Sequence, residues 1–323
     1  MSAERKTPQA AGDTQDRAAA ASEPDAARDP GDLRLISRAT YLKEKALQNL
    51  FLACAFVAVA GVLLIFLFVG LRGWPIFAKV GLWRFLTGTR WLPSQGFFGV
   101  ATMIANSFLV MLGALVFGTP LALGTAVFLS EVASPRVRAV VRPAVELLAG
   151  IPSVIYGFFG LIVLRPFIAA WSNSLGLGLL TVSLVLAVMI VPTIAAISED
   201  AMRSLSPGIR EASYAMGATT WQTIWRVLLP AAKIGIIDAV ILGMGRAIGE
   251  TMAVVMVAGN APVVPHSLFQ PLLTVTAAIV MDMSYASGDH RTALFGLAII
   301  LFVISMSFVA ALRLLSRIGG GEE

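Results

Sequence analysis

The feature that most constrains this sequence is a series of long apolar runs separated by short polar segments. Each of six runs is long enough to cross the roughly 30 Å hydrocarbon core of a bilayer as a helix. They occupy residues 47–71, 100–129, 151–171, 178–197, 234–258 and 293–315. Only 13% of the residues are charged, against about 25% in a typical soluble domain. The sequence therefore predicts an all-α integral membrane protein with about six transmembrane helices.

The N-terminal segment differs in composition from the rest of the chain. Residues 1–45 are rich in Ala, Asp, Arg, Glu and Pro and show no apolar periodicity. Such a segment cannot bury enough apolar surface to order itself, so we expect a disordered tail. The first apolar run begins too far from the N-terminus to be a secretory signal, so we expect it to be retained as the first helix of a transmembrane domain over residues 46–318.

The positively charged residues are distributed unevenly among the connecting segments. With the N-terminus inside, the inner loops and the C-terminal end hold nine Lys and Arg residues, and the outer loops hold six. The tail adds eight more on the inner side. Because cytoplasmic segments carry the excess of basic residues, we predict that both termini are cytoplasmic. This bias also explains the net charge of +5 without a nucleic-acid partner.

The inner segment over residues 201–232 is the most informative connection. Ser206 followed by Pro207 is a typical helix start, and Gly217 marks a helix stop. Thr219 or Thr220 can cap a second short helix, which Pro230 ends. The second helix carries an apolar stripe, and such a stripe requires a partner. The residues alone leave open whether that partner is the lipid headgroup layer or another protein.

Two charges lie inside the fifth apolar run. Arg246 and Glu250 are four residues apart, which in one continuous helix would place them on the same face as a possible ion pair. Each charge costs roughly 2.5–3.5 kcal/mol at the centre of a membrane on insertion scales. A guanidinium matches the oxygens of phosphate, so one interpretation is a polar path for an anion. The other is a structural ion pair that locks helices together.

The inner segment also resembles the EAA loop of ABC importer permeases. The resemblance rests on Glu211-Ala212-Ser213, Gly217 and Val227-Leu228-Leu229-Pro230 at the spacing of that motif. Ser213 and Val227 are small departures from its usual form. The resemblance implies a type I (MetI-like) permease fold in which this loop forms coupling helices that dock on separate ATPase subunits. The residues that it places in the coupling role are Glu211, Ala212, Gly217, Leu229 and Pro230.

ATP would be bound elsewhere in such an assembly. No Gly-x-x-x-x-Gly-Lys-Ser/Thr phosphate loop occurs in the sequence, and that loop is the usual cradle for nucleotide phosphates. We therefore predict that this chain is not an enzyme and binds no cofactor. ATP and Mg would bind to the partner ATPase subunits.

From about Phe85 to the end of the sixth run, the chain resembles the C-type permease subunits of phosphate-specific ABC importers. The segments that carry this resemblance are 150–158, 245–254 and 258–262. It implies a multi-pass permease of the bacterial inner membrane that translocates inorganic phosphate. The implied partners are a paralogous A-type permease, two ATPase subunits and a periplasmic phosphate-binding protein. By the same resemblance, Arg246, Glu250 and Thr251 lie along the substrate pathway.

Three alternatives stay open at this point. The permease could serve another oxyanion, such as sulfate or molybdate, or it could be the A-type paralogue. A secondary transporter or channel would need no ATPase, but it predicts inverted repeats and functional charges spread over several spans. Here the mid-span charges lie in one run, and a coupling loop would have no role in such a protein.

Overall fold

The computed structural model describes residues 38–318, with side chains described from residue 44 to residue 314. This part of the chain is mostly helical, as predicted. The helices are α1 (Arg38–Val80), α2 (Leu82–Thr87), α3 (Ala101–Val132), α4 (Pro135–Gly150), α5 (Ser153–Ser172), α6 (Leu179–Arg203), α7 (Pro207–Ala215), α8 (Thr220–Ala231), α9 (Lys233–Gly249), α10 (Met252–Val257), α11 (Val275–Met283) and α12 (Gly288–Ile318).

Five described helices are long and apolar enough to cross a membrane: α1, α3, α5, α6 and α12. The consecutive helices α8 and α9 make a sixth candidate if they are counted as one span, although they meet at an angle of 71°. The prediction of about six transmembrane helices is therefore confirmed. The largest difference lies in the fifth run, where the predicted helix over 234–258 ends at Gly249 and resumes at Met252.

Packing divides the described chain into two units between Leu64 and Ile65. In the first unit, the side chains from Glu44 to Leu64 are almost all exposed within this chain. Helix α1 begins at Arg38, inside the segment that was predicted to be a disordered tail. Residues 1–37 lie outside the described residues, so the prediction for that part of the tail is not tested.

In the second unit, α6 is the most deeply buried of the candidate spans. Helix α3 packs on one side of it and α9 on another, and both approach through glycine. A Cβ added at Gly113 would lie 2.1 Å from the Ser183 hydroxyl oxygen, and one at Gly243 would lie 2.6 Å from an Ile194 methyl carbon. Small residues permit such close helix packing inside a membrane protein. Helix α6 therefore positions the elements that surround the site.

A short hairpin lies between α2 and α3. Strands β1 (Trp91–Leu92) and β2 (Phe97–Phe98) pair antiparallel, with Trp91 opposite Phe98. The Trp91 indole N–H donates a hydrogen bond of 3.3 Å to an Asp282 carboxylate oxygen, and His290 Nε2 lies 3.1 Å from the same oxygen. The hairpin is thereby tied to the end of α11, where Asp282 also contacts His290 at the start of α12.

One buried amide contacts the connection between α10 and α11 at two points. Asn106 in α3 is fully buried, and its Nδ2 donates to the carbonyl oxygens of Val263 at 2.9 Å and Leu273 at 3.0 Å. Leu272 N also donates to Ala258 O at 3.0 Å, which brings the two ends of the connection together. The amide therefore joins α3 to two points of this connection, and its bond to Leu273 O is buried.

We expect Asn106→Leu to destabilise the protein and loosen this connection. The buried hydrogen bond to Leu273 O would be lost, and a buried carbonyl left without a partner costs about 1–3 kcal/mol. Differential scanning calorimetry in detergent should show a lower melting temperature, and limited proteolysis should show faster cleavage within residues 259–274. Asn49→Leu is the matched control, because Asn49 is exposed. Equal melting and cleavage for both variants would show that the Asn106 amide is dispensable.

Candidate functional site

The first helix of the inner segment starts and stops where the sequence predicts. Helix α7 has Ser206 at its N-cap and Pro207 at its first position, although the Ser206 hydroxyl makes no capping hydrogen bond. At its end, Gly217 has a φ of +79°. Ala218 N donates to Ser213 O at 3.2 Å, and Gly217 N donates to Tyr214 O at 2.9 Å. These two bonds form a Schellman motif, for which glycine is the favoured residue.

The second helix is joined to the first by side chains. Thr219 caps α8 in a reciprocal capping box with Gln222. It is one of the two residues that the sequence offered as caps for this helix. The Ser213 and Thr223 hydroxyl oxygens are 2.8 Å apart and buried. Ser213 is a departure from the usual motif, and its hydroxyl supplies a hydrogen bond between α7 and α8 that alanine could not make. The two short helices are therefore connected by a buried side-chain hydrogen bond as well as by the backbone.

The residues assigned to coupling lie mainly on the surface. Glu211, Ala212, Gly217 and Pro230 are exposed, and Leu229 is half-buried. The Glu211 carboxylate makes no ion pair or hydrogen bond within the described chain. These positions are therefore accessible to another subunit, and their docking role stays a prediction.

An ion pair that the sequence interpretation missed anchors α7 to the end of α3. Arg210 Nη2 lies 2.8 Å from Glu131 Oε1, and Arg210 Nε lies 3.2 Å from Glu131 Oε2. The same guanidinium also donates to the carbonyl oxygens of Met202 at 2.9 Å and Leu205 at 3.3 Å. The hydrogen bond with Glu131 raises the pKa of Arg210 above its usual value, despite partial burial. In the sequence, the position of the Glu131 carboxylate just after the apolar run over residues 100–129 could have indicated that it needs a basic partner.

The predicted stacking of Arg246 and Glu250 on one helical face is wrong. Helix α9 ends at Gly249, and Glu250 has an extended backbone with ψ of 131°. Its carboxylate Oε1 accepts a hydrogen bond of 3.2 Å from Ala253 N in the first turn of α10, where a negative charge is favoured by the helix dipole. The Glu250 carbonyl accepts from the Thr276 hydroxyl at 3.0 Å. Glu250 therefore holds the helix break instead of pairing with Arg246.

Thr251, the third residue assigned to the pathway, lies in the same break. Its hydroxyl donates to Gly249 O at 3.2 Å, and it is the N-cap residue of α10, although its side chain makes no capping bond. Glu250 and Thr251 thus connect α9 to α10, and their role along a substrate pathway stays a prediction.

Arg246 lies between two other helices. Its Nη1 donates to the Thr193 hydroxyl of α6 at 3.3 Å, and its Nη2 donates to Ala149 O at the end of α4 at 3.4 Å. No carboxylate within the described residues lies at ion-pair distance from it. A guanidinium has five N–H donors, so this half-buried cation keeps donors for an anion.

A second ion-pair cluster joins α4 to α6, and sequence reasoning did not find it. We call it the Arg142 cluster: Arg142 with Glu146, Glu199, Asp200 and Arg203. Arg142 contacts Glu146 through Nε at 3.0 Å, Glu199 through Nη1 at 3.4 Å and Asp200 through Nη2 at 3.0 Å. The hydrogen bond with Glu146 and the charges of Glu199 and Asp200 raise the pKa of Arg142 above its usual value. The arginine therefore stays charged in the cluster.

Comparisons with known proteins agree with this architecture. Residues 118–317 match the family model described as "Binding-protein-dependent transport system inner membrane component". The "Probable ABC transporter permease protein YqgH" of Bacillus subtilis is 44% identical over 272 residues, covering 82% of this chain and 88% of that protein. The "Phosphate transport system permease protein PstC" of Pasteurella multocida is 37% identical over 262 residues, covering 75% and 82%.

One solved structure shows the same fold at low identity. It is the crystal structure of a bacterial ABC transporter involved in the import of the acidic polysaccharide alginate. The likeness covers 86% of this chain and 98% of that chain, with a TM-score of 0.59 and 18% sequence identity. At that identity the likeness concerns the fold alone, and it agrees with the predicted type I permease architecture.

Proposed function

Because this chain belongs to the family of binding-protein-dependent transport system inner membrane components, we propose that it is the C-type permease subunit of an importer for inorganic phosphate. The names of its PstC relatives support the substrate. The observation that carries the proposal is the Arg246 guanidinium, which is half-buried beside a helix break and has no carboxylate partner in the described chain. A planar cation in that state suits a phosphate oxyanion.

The chain would work as one part of a larger assembly. It pairs with a paralogous A-type permease, while two ATPase subunits bind ATP and Mg on the cytoplasmic side. A periplasmic binding protein delivers phosphate on the other side, and both termini of this chain are cytoplasmic. The permease itself breaks no bond.

Transport would proceed by motion of the inner segment. ATP binding closes the two ATPase subunits, and their movement displaces the joined helices α7 and α8 through Glu211 and its exposed neighbours. Since α8 leads into α9 at Ala232, the displacement reaches the helix that bears Arg246. Phosphate then passes between the two permeases beside this guanidinium, and ATP hydrolysis resets the assembly.

Uptake by the reconstituted complex tests the proposal. We expect vesicles that contain both permeases, the ATPase subunits and the binding protein to accumulate radiolabelled phosphate only with ATP. Sulfate and molybdate serve as matched oxyanions and should neither accumulate nor stimulate ATP hydrolysis. Equal uptake of sulfate would contradict phosphate specificity. Anion uptake by this chain without an ATPase would contradict the assignment as an ABC permease and favour a secondary transporter.

A further inference from the structure

Ion pairs join helix α4 to α6. None of the α4 side chains is fully buried, although the half-buried Val145 packs against the apolar core. The Arg142 guanidinium supplies the ion pairs between the two helices, because it reaches Glu199 and Asp200 of α6 as well as Glu146 of its own helix. Of these, the Glu199 side chain is only 1% exposed, and its Oε1 also lies 3.3 Å from Arg203. Removing a partner from a buried carboxylate is strongly unfavourable, so the cluster fixes α4 on α6.

The end of α4 contacts the site through its last carbonyl groups. The last four carbonyls of a helix lack partners within the helix and carry partial negative charge. Leu148 O accepts a hydrogen bond of 2.7 Å from the Tyr156 hydroxyl, and Ala149 O accepts the one from Arg246. The position of this helix end therefore decides where one side of the Arg246 guanidinium lies.

The contacts form a closed frame. Arg142 and Ala149 are seven residues apart in α4, about 10 Å, and Thr193 and Glu199 are six residues apart in α6, about 9 Å. The Arg142–Glu199 contact closes one end of the frame, and Arg246 bridges the other. Because the two sides have nearly equal lengths, α4 and α6 can lie side by side while the Arg142–Glu199 contact and the two Arg246 hydrogen bonds form at the same time.

We propose that Arg142 is a positioning residue for Arg246: by fixing α4 on α6, it holds the guanidinium between Ala149 O and the Thr193 hydroxyl. This inference rests on the proposed function, because it assumes that Arg246 acts on the transported anion. Arg142 itself does not contact the substrate. Loss of its charge removes the ion pairs to α6, although Arg138 still holds α4 to the carbonyls of Leu129 and Ser130. The end of α4 then shifts, which moves Ala149 O and misaligns Arg246, while the coupling helices α7 and α8 stay intact.

The test is the number of phosphate ions imported per ATP hydrolysed by the full reconstituted complex. We expect Arg142→Gln to lower this ratio about fivefold. The matched control is Arg136→Gln, which removes the same charge from the same helix at an exposed position with no described partner, and it should match the wild type. An unchanged ratio for Arg142→Gln would overturn the proposal.

A double-mutant cycle separates positioning from a general structural effect. We expect Arg142→Gln to lower the ratio no further in an Arg246→Lys background, because both changes act on one guanidinium position. Two independent effects would multiply and overturn the proposal. If Arg142→Gln fails to assemble, Asp200→Asn replaces it, since Asp200 is 61% exposed and its loss leaves Glu199 paired. A wild-type complex that imports no phosphate would refute the proposed function instead.

Discussion

Arg246→Gln is expected to lower ATP-driven phosphate uptake about a hundredfold, which corresponds to losing charge-assisted hydrogen bonds worth about 3 kcal/mol. Glutamine retains N–H donors but removes the charge and the planar fork that suits a phosphate group. The side chain makes hydrogen bonds to only one hydroxyl and one carbonyl in the described chain, so the fold should tolerate the change. Uptake of radiolabelled phosphate by vesicles that contain the complete complex measures the loss.

Two controls separate a loss of transport in Arg246→Gln from a loss of assembly and from a general effect of charge. Co-purification of the ATPase subunits with the variant should equal that of the wild type, because α7 and α8 are unaffected. Arg136→Gln is the control for the loss of one positive charge, and we expect full uptake from it. Normal uptake by Arg246→Gln in an assembled complex would exclude Arg246 from the substrate pathway.

Arg210→Ala is expected to break the connection between permease and ATPase. Glu131 would lose its charged partner while its side chain is only 7% exposed, and leaving such a buried charge unpaired costs about 3–5 kcal/mol. The carbonyls of Met202 and Leu205 would lose their donor as well. We expect α7 to detach from α3, so that co-purified ATPase falls and ATP hydrolysis no longer responds to phosphate.

A charge-neutral pair provides the control for this second variant. Glu131→Gln combined with Arg210→Met removes both charges and keeps side chains of similar length, which is often far less harmful than removing one partner. We expect the double variant to recover much of the ATPase binding that Arg210→Ala loses. If the double variant is as defective as Arg210→Ala, or if Arg210→Ala binds ATPase normally, the ion pair is not what anchors α7.

Local signals in the sequence predicted the coupling segment well. Pro207, Gly217 and Thr219 each act through their own backbone geometry or a neighbour within a few residues. The helix break at Glu250 was missed for a physical reason. The apolar run continues through residues 234–258, whereas the break depends on Glu250 accepting a hydrogen bond from Ala253 N in α10 and on Thr276 donating from α11.

The two ion pairs could not be predicted from the sequence, because their partners lie far apart in the chain. Arg210 and Glu131 are 79 residues apart, and Arg142 and Glu199 are 57 apart. Both arginines contributed to the orientation of the chain as basic residues of inner segments. Their specific partners become visible only when α3, α4 and α6 have packed. The sequence predicted which charges lie near the cytoplasmic side, and packing decides which of them meet.

The sharp bend between α8 and α9 makes these two helices a lever. The bend of 71° lies at Ala232, and Arg246 lies fourteen residues beyond it, about 21 Å along α9. Tilting α9 by about 5° around the bend would displace the backbone of Arg246 by about 2 Å at this helical rise. Its hydrogen bonds with Thr193 and Ala149 are already 3.3 and 3.4 Å long, so a displacement of this size at a fixed side-chain conformation would break both. A small rotation at Ala232 would thus be enough to change the contacts of a single guanidinium.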